Sequence, residues 1–149
     1  VTVESEEEDG TADGRGWTLM EEAECYLHSD LSYRVIGCAM TVHRTLGHGL
    51  REKTYERALC VELEEHAILF SQQQSYPVIY RGKVIDEYIP DLVVDGRIIV
   101  DTKTVEGIND EHVGQMLNYL RVTGLQIGLI LNFKHPKLQW RRVVLESAT

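Results

Sequence analysis

The stretch Pro90-Asp91-Leu92-Val93-Val94-Asp95-Gly96-Arg97-Ile98-Ile99-Val100-Asp101-Thr102-Lys103 decides how this chain is read. Two runs rich in β-branched residues flank Asp95-Gly96, a dipeptide suited to the left-handed backbone of a tight hairpin turn. Asp101 and Lys103 stand two apart, so the strand's period of two puts them on one face of an otherwise apolar run. An acid and a base placed there need partners or a function, because burying an unpaired charge is costly.

Whether Asp91 joins them depends on the register of the hairpin. A two-residue turn at Asp95-Gly96 pairs Val94 with Arg97 and Asp91 with Val100, which sends the two aspartates to opposite faces. A three-residue loop, Val94-Asp95-Gly96 with Gly96 left-handed in a bulge, pairs Val93 with Arg97 and Asp91 with Ile99. Asp91, Asp101 and Lys103 then share a face, with the aspartates as diagonal neighbours roughly 5 to 8 Å apart. A functional reading of the stretch requires that loop or an equivalent bulge. Two carboxylates so close repel, which raises one pKa unless a cation sits between them. Hard oxygen donors with open positions suit Mg²⁺ or Mn²⁺.

Upstream, Ser29 or Asp30 can cap a helix that carries Val35, Ile36, Ala39, Met40, Val42, His43 and Leu46 at helical spacing, with Gly47 and Gly49 as its stop. A second helix is expected from near Leu50 to about His66, with Tyr55, Ala58, Leu59 and Leu63 on one stripe. Glu52 precedes Tyr55 by three and Leu59 by seven, which places a carboxylate on that stripe. From Ile68 the period changes, and Tyr76–Tyr80, Val84–Val94 and Arg97–Lys103 read as three strands of an antiparallel meander. Asn109 to about Thr123 returns to helical spacing, capped by Asn109 and stopped by Gly124. Ile127–Leu131 and Leu138–Leu145 give two more strands. The order α-α-β-β-β-α-β-β predicts an α+β domain, a central mixed sheet flanked by helices.

The 149 residues suit one domain, and 43% hydrophobic with 26% charged residues describes a folding chain. The formal charge of −9 is local. Residues 1–30 hold ten acids and one base, Arg15, while the remaining 119 hold 14 acids and 14 bases, so the body is neutral. Residues 1–28 are expected to form an acidic flexible extension, and 29–149 the domain. Three cysteines without paired spacing argue against a disulfide framework. The N-terminus lacks the basic start and apolar run of a signal peptide, and no apolar run reaches the roughly 18 to 20 residues of a membrane span. A cytoplasmic setting without membrane association is expected. His43 and His48 lack metal-pair spacing, His112 reads as a solvated first-turn residue, and no phosphate-binding glycine motif is present. Arg121, Lys134, His135, Lys137, Arg141 and Arg142 make a loose basic group, which reads first as a solvated face.

Gly49-Leu50-Arg51-Glu52-Lys53-Thr54-Tyr55 reads G-x-x-E-x-x-Y. With Pro90-Asp91 ahead of Asp101-Thr102-Lys103, and Gln115 and Tyr119 spaced as Q-x-x-x-Y, the chain from Val35 to Val144 resembles the GxxExxY family. That family is similar to the PD-(D/E)XK nuclease superfamily in its RecB-like variant. The resemblance implies a restriction-endonuclease-like fold and a metal site of Glu52, Asp91, Asp101 and the Thr102 carbonyl. It also implies that Lys103 serves an attacking water and that Gln115, Tyr119 and Tyr55 support the site or touch substrate. Asp101 stands where Glu is more usual in the family, and His48 where Pro is common.

The function expected is Mg²⁺- or Mn²⁺-dependent hydrolysis of nucleic acid, DNA ahead of RNA, with Asp91, Asp101, Lys103 and Glu52 as the catalytic set. The alternative is a nuclease-fold module that binds protein or nucleic acid without cutting. A homo-oligomer or a partner protein is compatible with either.

Overall fold

The computed structural model describes residues 1–5 and 29–146. The helices are α1 (Ser29–Leu46), α2 (Glu52–Glu65) and α3 (Asp110–Thr123). The strands are β1 (Thr2–Ser5), β2 (Phe70–Gln72), β3 (Tyr76–Tyr80), β4 (Lys83–Tyr88), β5 (Leu92–Val94), β6 (Ile98–Lys103), β7 (Ile127–Asn132) and β8 (Gln139–Val144). Six strands form a central mixed sheet in the order β1-β8-β7-β6-β5-β2, and β3 pairs with β4 in a separate ribbon. The fold is the α+β, restriction-endonuclease-like architecture expected from the sequence.

Helix α1 buries Val35, Ile36, Ala39, Val42 and His43, the face that helical spacing marks out. Gly47, at φ 74°, returns its N–H to the His43 carbonyl and ends the helix. On α2 the buried face is Tyr55, Glu56, Leu59, Cys60 and Leu63. Glu56 is buried because Lys53 Nζ and Gln72 Nε2 reach its Oε2 at 2.7 and 3.1 Å. These two helices cover one face of the sheet, against Ile98, Val100, Leu129, Leu131 and Trp140. Helix α3 covers the other, where Met116 and Leu120 meet Ile99, Ile130 and Val143. The inner strands β5 and β7 are therefore apolar on both faces. β6 and β7 run parallel, joined by α3, and the remaining pairs in the sheet are antiparallel.

Three expectations change. The strand expected over Val84–Val94 breaks at Ile89-Pro90-Asp91, so β4 and β5 lie in different sheets. Proline offers no N–H to a ladder, which is the physical reason for the break. The meander is consequently β2-β5-β6, with the β3–β4 ribbon inserted between its first two strands. In the acidic extension, Thr2–Ser5 is an edge strand on β8, with Thr2 opposite Val144 and Ser5 opposite Arg141. The open edge of β8 supplies the ladder that this short segment joins. The rest of the extension, residues 6–28, lies outside the described residues. No helix among the described residues is long and apolar enough to cross a membrane.

Candidate active site

Asp95 and Gly96 both take positive φ, 51° and 63°, and the Arg97 N–H donates to the Val94 carbonyl at 2.9 Å. This is a tight left-handed turn of the kind Asp-Gly favours. The ladder resumes one residue later than a plain two-residue turn allows, because Val94 pairs with Ile98, Val93 with Ile99 and Leu92 with Val100. Arg97 is the extra residue. Neither register considered from the sequence occurs, but the outcome has the parity that the functional reading requires. One step beyond Leu92–Val100, at the bend that precedes β5, the same parity puts Asp91 on the face of Asp101.

The two carboxyl groups interact closely, and beyond burial both the charge and the side chain of Asp101 push the Asp91 pKa upward. Asp91 is anchored further: its Oδ2 accepts from the Thr102 backbone N–H at 3.0 Å and from Thr102 Oγ1 at 3.2 Å. Burial pushes the Asp91 pKa up; the Thr102 N–H opposes this, the Asp101 charge adds to it, and the net direction is upward. Lys103 Nζ lies 3.1 Å from Asp101 Oδ2, with side-chain exposures of only 15% and 22% for the pair. Asp91, Asp101 and Lys103, singled out by spacing, are thus brought together.

Glu52 is placed differently from expectation. It is the first residue of α2 and is exposed, not on the buried stripe. Its Oε1 accepts from the Thr104 N–H at 3.1 Å, just past the end of β6. A carboxylate in the first turn also suits the positive end of the helix dipole. Among the described residues no group of three or more His, Cys, Asp and Glu gathers into a metal cage. The donor pair in place is Asp91 with Asp101.

Tyr55 is fully buried and stacked on Phe133 at 4.5 Å. Its hydroxyl donates to the Gly47 carbonyl at 2.6 Å and accepts from the Leu50 N–H at 3.2 Å, so it fastens the glycine loop ahead of Glu52. Gln115 is exposed on α3. Tyr119, one turn further, is half-buried and stacked on Tyr88, with ring centroids 3.8 Å apart and planes 13° from parallel. Both phenols are pushed upward in pKa, by burial first and then by the charges of Asp101 and Asp91. Both phenols thus feel the charges of the two acids.

Tyr88 was not singled out from the sequence. Its one signal is position, as the half-buried last residue of a strand whose other residues are all exposed. His112 accepts on Nδ1 from the Asn109 N–H at 3.0 Å, while the Asn109 side chain accepts from the His112 N–H, a reciprocal cap of α3. Burial, then Lys103, lowers its pKa. The loose basic group does not form one surface. Arg142 is fully buried with Glu4 Oε2 at 3.6 Å, and Lys134 pairs with Glu106 at 3.0 Å.

The chemistry of the donor set fits a divalent cation. Two hard-oxygen carboxylates close together at the end of adjacent strands are a pair whose repulsion such an ion relieves. A family model described as the PD-(D/E)XK nuclease superfamily matches residues 29–143. No curated protein and no solved structure matches the chain. Nucleases of that superfamily generally use divalent metal ions. The Pro-Asp bend, the facing Asp-x-Lys strand and the family match across α1 to β8 agree, and the chain belongs to the PD-(D/E)XK nuclease superfamily.

Proposed function

We propose that the protein hydrolyses phosphodiester bonds of nucleic acid, DNA ahead of RNA, with Mg²⁺ or Mn²⁺ held by Asp91 and Asp101. The observation that carries this reading is the cluster at the end of β6, where the Thr102 N–H ties down Asp91 at 3.0 Å and Lys103 Nζ lies 3.1 Å from Asp101. A bound divalent ion supplies Lewis acidity toward a phosphate oxygen and lowers the pKa of water. Asp91 is oriented for its part by the Thr102 N–H and hydroxyl, and the adjacent Thr102 carbonyl is a further candidate oxygen donor. Lys103 presents a largely buried positive charge toward a phosphate oxygen on which negative charge develops, where a preset cation is worth more than in water. Tyr88 and Tyr119 wall the site and limit solvent around the acids. Gln115, exposed on the same helix face as Tyr119, is assigned to substrate contact.

We also assign the chain to the GxxExxY subdivision. Support comes from the two residues the motif names: Glu52 fastens the start of α2 to the end of β6, and Tyr55 fastens the loop before it. Cys38 and Cys60 are free and buried, which supports a reducing, cytoplasmic setting.

One observation favours a second reading, a nuclease-fold module that binds without cutting. Glu52 is engaged by Thr104 instead of completing a three-carboxylate cage. Cleavage of duplex and single-stranded oligonucleotides with Mn²⁺ or Mg²⁺ separates the two. The expected result is activity that falls about 10²- to 10³-fold in Lys103→Ala and reaches background in Asp101→Ala. Equal activity in all three proteins would mark a contaminating nuclease and remove these residues from the reaction.

A further inference from the structure

Apart from Tyr88 at its base, the β3–β4 ribbon has no part in the site described above. It stands outside the central sheet as its own two-stranded unit. Its turn, Arg81-Gly82, is left-handed at both residues (φ 49° and 76°), and the Arg81 guanidinium lies 5.7 Å from the centroid of the Tyr80 ring. Large apolar side chains are left in the open on both strands: Ile79 is 61% exposed, Val84 65% and Ile85 63%. A register shift between Val78 and Ile79 bulges the ribbon at this level. Exposed apolar clusters of this kind mark surfaces that meet something.

The base of the ribbon is tied to the acid pair. Tyr88, the last residue of β4, stacks on Tyr119, and the chain then runs through Ile89-Pro90 directly into Asp91. Whatever the ribbon grips is therefore presented to the two carboxylates. The six residues of β4, at about 3.3 Å each, make an arm of roughly 20 Å. Its tip carries the bases Arg81 and Lys83, while its acids, Asp86 and Glu87, sit nearer the base. A positive tip complements phosphates. The major groove of a duplex, about 12 Å wide and 8.5 Å deep, admits a two-stranded ribbon, and apolar side chains there meet thymine methyl groups.

We propose that the β3–β4 ribbon is a DNA-binding arm that enters the major groove of a duplex and sets the strand against Asp91 and Asp101. This rests on the functional reading above and narrows its substrate to double-stranded nucleic acid. Phosphate contact comes from Arg81 and Lys83, and contact with the groove floor from Ile79, Val84 and Ile85.

The test is fluorescence anisotropy of a labelled duplex and of its single strand, with Ca²⁺ in place of Mg²⁺ to suppress cleavage. The wild type is expected to prefer the duplex. The double variant Arg81→Glu/Lys83→Glu should weaken duplex binding at least about tenfold and reduce the slope of log affinity against log salt by about two. Ile79→Ser/Ile85→Ser should weaken it severalfold, with melting temperatures of both variants unchanged because all four residues are exposed. Unchanged duplex affinity in both variants, or a wild-type preference for the single strand, overturns the proposal. Self-association lost in Ile79→Ser/Ile85→Ser with DNA affinity intact overturns it in favour of a second copy as the occupant. Calorimetric titration with Mn²⁺ alone separates the two readings. Metal binding kept in the arm variants and lost in Asp101→Ala preserves the site whatever the arm does, and its absence in the wild type sinks the site.

Discussion

At Asp91, burial and the neighbouring Asp101 charge favour the protonated acid, and the Thr102 N–H favours the charged one, with the first pair prevailing. The folded-state pKa thus lies above the ordinary 3.8, and the native chain holds this proton more tightly than the unfolded chain does. The stability so gained is complete below the ordinary value and is lost as pH rises through the folded one. Asp91→Asn removes the titration and keeps a carbonyl to accept from Thr102. Near neutral pH the metal-free variant should melt roughly 2 to 5 °C above wild type by calorimetry, and the gain should vanish below the ordinary carboxylate range. Saturating Mg²⁺ should reverse the order, because only the wild type keeps both ligands. Asp101 and Lys103 were legible in the sequence because an acid and a base at period two stand out in an apolar strand. Tyr88 was not, because its role arises from a stacking partner 31 positions away on another element.

Among the elements, helix α3 approaches β7 closely enough that a Cβ on Gly128 would run into Met116 Sδ and Cγ. Gly128→Ala should therefore cost about 1 to 3 kcal/mol by urea denaturation. In Met116→Ala the clash disappears, so the double variant should be less destabilised than the sum of the singles by about 1 kcal/mol. Additive costs would mean that the helix and strand are not in contact at this point. The ends of α3 were legible locally, since Asn109 caps it and Gly124, at φ 75°, closes it. β2 was not, because three residues carry too little periodicity, and its strand character comes from pairing Phe70 with Val94 and Gln72 with Leu92. The division of Val84–Val94 into two strands of different sheets was half-legible: Pro90 signals a break, but not that a ribbon lies on one side of it.

For the whole molecule, the N-terminal strand closes the sheet. Glu4 reaches the fully buried Arg142 and also accepts from the Tyr33 hydroxyl at 3.2 Å, so the start of the chain, the last strand and α1 meet at one carboxylate. Burial lowers the Arg142 pKa and Glu4 raises it. Glu4→Gln should lower stability by roughly 1.5 to 3 kcal/mol, the range for a hydrogen-bonded charge in a buried setting, without altering Mn²⁺ binding at the acid pair. A change within error would show that Arg142 is satisfied without Glu4. Glu4 had been counted with the acidic extension because composition, averaged over 28 residues, hides a four-residue strand.

The chain by itself determined the helix ends, the order of the three helices with the two strands after the last, and the Asp-x-Lys strand with its Pro-Asp bend, since these depend on local periodicity and on the dihedral limits of Gly and Pro. Tertiary structure alone decided that Asp91 shares a face with Asp101. A single extra residue, Arg97, sets the parity of the hairpin, and the ladder rather than the turn sequence selects it. It likewise decided that Glu52 binds Thr104 and that a tyrosine from the inserted ribbon joins the site. Those outcomes depend on contacts between distant residues, which no local pattern encodes.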